Sequence, residues 1–130
     1  MKHIFILTIL LALVLSLAAC SETEAIPSGT WNLVSLNGST LLPDTQLTIE
    51  FTDEQVSGFS GCNTFGGTYT LRGSDLEFAE LVTTLMACAD TEAMTQESAY
   101  FAALQAVASI EFNETTLTLS GEGVELVFTR

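Results

Sequence analysis

The side chains able to do chemistry in this chain of 130 residues are few: three cysteines, one histidine and 16 carboxylates. Cys20 closes the run Leu17-Ala18-Ala19-Cys20, behind a charge-free apolar stretch from Ile4 to Leu17 and the basic start Met1-Lys2-His3. That order matches a bacterial lipoprotein signal. The expectation is that residues 1–19 are removed and that Cys20 carries the lipid as a thioether and an acylated amine, so its sulfur is neither nucleophile nor disulfide partner. The competing reading is an uncleaved membrane helix, but the apolar run stops short of the roughly 20 residues a bilayer crossing requires. Two or three acyl chains, at about 0.8 kcal/mol per buried methylene, would hold the protein firmly. Ser21, where an Asp would signal retention, points to the outer membrane facing the periplasm.

Cys62 and Cys88 remain. In an oxidising envelope compartment one bridge is expected before two free thiols. Closing a loop of about 27 residues would stabilise the fold by about 3.5 kcal/mol on the chain-entropy model. A pair of buried thiols packed as small hydrophobes is the alternative. A redox centre is disfavoured, because there is no C-x-x-C and no nearby base to lower a thiol pKa.

The histidine is His3, inside the signal, so the mature domain holds none. Ser-His and Cys-His nucleophile pairs and the usual transition-metal sites are thereby removed. No D-x-D-x-D-G loop suggests calcium. The carboxylates are dispersed, and whether any two face each other as a glycosidase pair depends on the fold. The reading is therefore no catalytic residue, no cofactor and no metal. A formal charge of −13 excludes a nucleic-acid partner, since no basic patch could displace counterions from phosphates. It also leaves membrane attachment to the lipid. The acidic surface reads as solubilising before it reads as a site for a basic partner.

What must position the cysteines is a run of short strands. Ser21 to Ser28 is a polar tether, and residues 29–130 form one domain. Thr30 to Leu36 is strand-like and ends at the turn pair Asn37-Gly38; Trp31 within it reads as a core anchor and not as a binding residue. In Gln46 to Thr52, Leu47, Ile49 and Phe51 alternate with Thr48, Glu50 and Thr52, which buries one face. Gln55 to Ser60 returns after the turn at Asp53-Glu54. The stretch Gly61-Cys62-Asn63-Thr64-Phe65-Gly66-Gly67 reads as a tight kinked hairpin with Gly61, Asn63, Gly66 and Gly67 in its turn. A phosphate cradle is excluded there, because no helix follows and no Lys is near.

Thr68 to Leu71 and Leu76 to Phe78 are further strands, and the run Leu81 to Ala87 brings Cys88 back toward Cys62. Asp90 then caps a helix with an apolar face of Met94, Phe101, Leu104 and Ala108, Tyr100 and Val107 on its flank. Glu97 falls among these residues and is expected at the border of that face, hydrogen-bonded to backbone or to Arg72. Covering the domain's own sheet is the expected use of this helix. Ser109 to Phe112, Thr116 to Leu119 and Val124 to Phe128 complete the set. The fold class expected is α+β, mostly β: a small antiparallel β-barrel of seven or eight strands with one late helix.

The motif Gly61 to Tyr69, the later Thr83-Thr84-Leu85-Met86-Ala87-Cys88, the helix with Met94, Glu97, Phe101 and Leu104, and the opening Gly29-Thr30-Trp31-Asn32-Leu33 together resemble the META domain, the family of HslJ-like heat-shock lipoproteins. The resemblance implies a compact barrel in the cell envelope, linked in some members to heat shock and to novobiocin tolerance. It implies no enzymatic activity and carries over no catalytic residue. The resulting expectation is a non-enzymatic, monomeric, lipid-anchored protein of the stress response. The alternative is a module binding a small ligand or an envelope protein through a pocket lined by Trp31, Phe65, Tyr69 and Phe101, or through an edge strand. A carboxylate-dependent hydrolase is the weakest reading.

Overall fold

The computed structural model describes residues 24–130. Cys20 and the signal segment lie outside the described residues. Alternation of apolar and polar residues builds eight strands: β1 (Thr30–Leu36), β2 (Thr48–Thr52), β3 (Gln55–Phe59), β4 (Thr64–Arg72), β5 (Asp75–Thr83), then, after helix α1 (Thr91–Gln105), β6 (Val107–Phe112), β7 (Thr116–Gly121) and β8 (Val124–Thr129). They pair in chain order, all antiparallel, and β8 returns to β1 to close a barrel. The expected mostly-β barrel with one late helix is what the chain forms.

The inward residues of each strand fill the barrel. Trp31, Ile49, Leu117, Leu119, Leu126 and Phe128 are fully buried, and Leu33, Phe51 and Val56 nearly so. α1 closes one end, where Tyr100, Ala103 and Leu104 are buried and the Tyr100 hydroxyl donates to the Thr48 carbonyl at 3.1 Å. Asp90 caps the helix as expected, its Oδ1 accepting from the Glu92 N–H at 2.8 Å. Residues 26–28, read as the end of a tether, dock on the barrel. Ile26 joins the core, and the Pro27 carbonyl accepts from Trp31 Nε1 at 3.2 Å.

Three expectations are corrected. Gly66 and Gly67 belong to β4 and not to the turn, which spans Ser60–Asn63. The segments Leu76 to Phe78 and Leu81 onward belong to one strand, β5, which ends at Thr83. A register shift opposite Gly66 and Thr68, with Glu80 at φ 55°, breaks the alternation and makes this strand read as two. Gly67 permits that bulge: a Cβ there would stand 2.8 Å from the Ala79 carbonyl oxygen and 3.0 Å from Leu81. Finally, the buried face of α1 is rotated from the expected one. Tyr100 is fully buried, Met94 is exposed, and Ala108 lies in β6, because the helix ends at Gln105 with Ala106 as its C-cap.

Candidate functional site

The cysteines meet at the end of the barrel that α1 covers. Cys62 and Cys88 form a disulfide with Cα atoms 5.7 Å apart and a sequence separation of 26. Gly61, at φ 112°, supplies a backbone conformation that residues with a Cβ rarely adopt, and so turns the chain out of β3. Ser60 and Asn63 on either side are the buried polar residues of the domain, 1% and 3% exposed.

Asn63 ties three segments together. Its Oδ1 accepts from the Met86 N–H at 2.7 Å and from Thr84 Oγ1 at 2.8 Å, while its Nδ2 donates to the Met86 carbonyl and to Glu97 Oε1. Glu97, from α1, completes the cluster. Its Oε2 accepts from the Asn63 N–H at 2.8 Å and the Cys62 N–H at 3.0 Å, and lies 2.8 Å from Ser60 Oγ. Of the two partners foreseen for Glu97, backbone is the one it uses; Arg72 sits in the β4–β5 hairpin and makes no hydrogen bond to it among the described residues. Burial pushes this carboxyl up, but the hydrogen bonds from Asn63, Ser60 and Cys62 outweigh it and hold the group below the usual carboxylate range.

Cys62 Sγ, Cys88 Sγ and a Glu97 oxygen lie within 4.8 Å of one another, a spacing that could serve a metal. Both sulfurs are joined in the bridge and both Glu97 oxygens already accept hydrogen bonds. The arrangement is a latch joining the β3–β4 turn, the 84–88 segment and α1, and every buried side-chain nitrogen and oxygen among the described residues has a partner.

Beside the latch runs a groove of about 590 Å³ between residues 83–87 and the side of α1 carrying Met94, Ser98, Phe101 and Gln105. Leu85 is 94% exposed and Met86 64%, so the chain leaves apolar side chains in solvent directly next to the bridge. A second groove, about 760 Å³, lies by Ile26, Asp53, Glu54 and Tyr69. Burial, with the nearby Asp53 and Glu54 carboxylates, pushes the Tyr69 phenol up.

The single aromatic pocket on which the alternative binding reading rested does not form. Trp31 and Phe65 are buried in the core, Phe65 with its ring 5.9 Å from that of Tyr100. Tyr69 packs edge-on to Phe51 at 5.1 Å, in the second groove, while Phe101 lines the first. The sequence reading also missed Ser60 and Thr84 as members of the latch. Their signal was present only as small hydroxyl residues just before Gly61 and Leu85.

A closed antiparallel barrel with one end covered by a helix, and that helix latched through a carboxylate to a disulfide-bonded turn, defines the structural class. The META domain matches residues 24–130, and the chain belongs to that family. No curated protein matches. The fold is similar to that of a Burkholderia xenovorans protein solved by NMR, with 24% identity, a TM-score of 0.64, and coverage of 88% of this chain and 98% of that one. It is also similar to a DUF4847 family protein from Bacteroides vulgatus, solved by crystallography, with 19% identity, a TM-score of 0.60, and coverage of 78% and 92%.

Proposed function

We propose that the protein is a lipid-anchored cell-envelope member of the META family that works by binding without turnover and contributes to envelope stress tolerance. The observation that carries this reading is the latch: its polar groups are spent on one another, while the groove beside it leaves Leu85, Met86 and Met94 exposed. A fully satisfied buried polar network of this kind rigidifies the fold around it. Exposed apolar residues clustered in a groove favour contact with another molecule. The Cys20 lipobox supports attachment through lipid, and a disulfide suits an oxidising compartment.

The test is fractionation of cells carrying the wild-type chain and Cys20→Ser. The wild type is expected in the membrane fraction and the variant in the soluble periplasmic fraction, with unchanged circular dichroism. Turnover of a substrate by the purified protein, abolished by changing one carboxylate, would overturn the binding reading.

A further inference from the structure

The barrel is not equally sealed around its circumference. β4 and β5 pair from Phe65↔Thr83 to Arg72↔Asp75, but β5 and β6 share the single pair Asp75↔Ser109, supported by the Ile110 N–H donating to the Ser74 carbonyl at 2.9 Å. Continuing that register sets Glu77 opposite Val107, where β6 begins. Past that point β5 has no strand beside it on this side. Thr84 N–H donates to the Thr64 carbonyl at 3.0 Å, so alternation turns the N–H and C=O of Thr83 away from β4, toward the open side.

An edge of this kind is a template for another strand. Natural edges are blunted by charged residues, proline, a β-bulge or cover; here the bulge at Glu80 interrupts the edge, and beyond it Leu81 to Thr83 continue without proline or charge, Val82 being 68% exposed. Its C-terminal end runs into the groove beside Met86, Met94 and Phe101. Methionine adapts its shape to varied apolar partners. Glu80 is exposed on this edge and the chain carries a formal charge of −13, whereas Arg72 and Arg130, the two cations among the described residues, do not line the groove.

Resting on the binding reading above, we propose that the β5 edge from Ala79 to Thr83, with the adjoining groove, takes an extended peptide segment that alternates cationic and apolar residues. Main-chain hydrogen bonds to β5 would hold it, apolar side chains would reach Met86, Met94 and Phe101, and cationic side chains would meet Glu80.

The test is an amide NMR titration of the full-length protein in detergent with three peptides of about eight residues. One alternates lysine and valine, the second is the same with alternate amides N-methylated, and the third alternates glutamate and valine. The first is expected to shift Ala79 to Thr84 and the groove, and to bind about tenfold more tightly than either control. Val82→Lys with Leu85→Lys, both at exposed positions, is expected to weaken it by a similar factor without lowering Tm.

Equal binding of the N-methylated peptide would overturn edge pairing, and equal binding of the glutamate peptide would overturn the charge assignment. Self-association dissolved by Val82→Lys would make the occupant a second copy. Uptake of the Cys20→Ser chain onto zwitterionic vesicles, lost with Leu85→Lys, would make it a membrane; either overturns the peptide assignment. Shifts confined to the groove by Ile26 and Tyr69 would overturn the β5 edge and leave the binding reading standing. A spectrum unmoved by all three peptides sinks this inference, whereas the binding reading falls to observed turnover.

Discussion

Glu97 shows how one side chain can set local architecture. A carboxylate offers acceptors only, and the Ser60–Asn63 turn presents donors only, from the Cys62 and Asn63 amides and the Asn63 side chain. Glu97→Gln places an NH₂ against those donors, so a loss of about 2 kcal/mol in urea unfolding is expected, with a lowered midpoint. The pH dependence follows from the direction of the shift. Because the folded-state pKa is depressed, the stabilisation is fully present above the unfolded value near 4.5 and is lost as pH falls through the lower folded value. The variant is therefore expected to show a shallower loss of stability below that value than the wild type. An acid limb of equal steepness in the two proteins would contradict the assigned protonation state. The sequence placed Glu97 at the border of the helix and offered backbone as a partner, but the other half of the cluster was hidden. Asn63 and Thr84 are 21 positions apart, and only the barrel's return brings them to 2.8 Å.

Strands were most legible where inward and outward residues alternate without interruption. β2 and the residue before it show this: Leu47, Ile49 and Phe51 are buried and Thr52 is exposed, as the alternation demands. β5 was misread because its bulge adds one residue, and a single added residue reverses the facing of everything beyond it. α1 was misread in phase for a different reason. Both of its faces carry large apolar residues, and the choice of Tyr100 over Met94 is made by the barrel end, where the Thr48 carbonyl receives the hydroxyl. Gly67→Ala tests the bulge. Its Cβ would press on backbone carbonyls of Ala79 and Glu80, so a loss of about 1–3 kcal/mol is expected in thermal or urea unfolding. Unchanged stability would mean that β5 moves aside freely. Cys62→Ser tests the bridge between the turn and the segment before α1. Loop closure over 26 positions leads to an expected loss of about 3.5 kcal/mol, with membrane attachment retained. Release from the membrane instead would show that Cys62, and not Cys20, bears the lipid.

Across the whole molecule, the chain divides, on the proposed reading, into an address and a barrel. The barrel interior is filled by buried side chains, Trp31, Phe128 and their neighbours. Contact with other molecules is therefore expected on the outside, at the grooves flanking the latch and the docked Ile26 segment. A formal charge of −13 repels anionic headgroups, so the proposed membrane attachment rests on lipid. On the proposed reading Cys20 anchors the protein while the pair Cys62 and Cys88 fastens the fold, so all three cysteines are expected to be chemically occupied in the mature protein. Intact mass of the membrane-extracted protein, before and after reduction and alkylation, tests this most directly. The expected result is a chain lacking residues 1–19 and carrying acyl chains, with two alkylated thiols appearing only after reduction. An unprocessed chain whose thiols are alkylated without reduction would contradict both the anchor and the compartment.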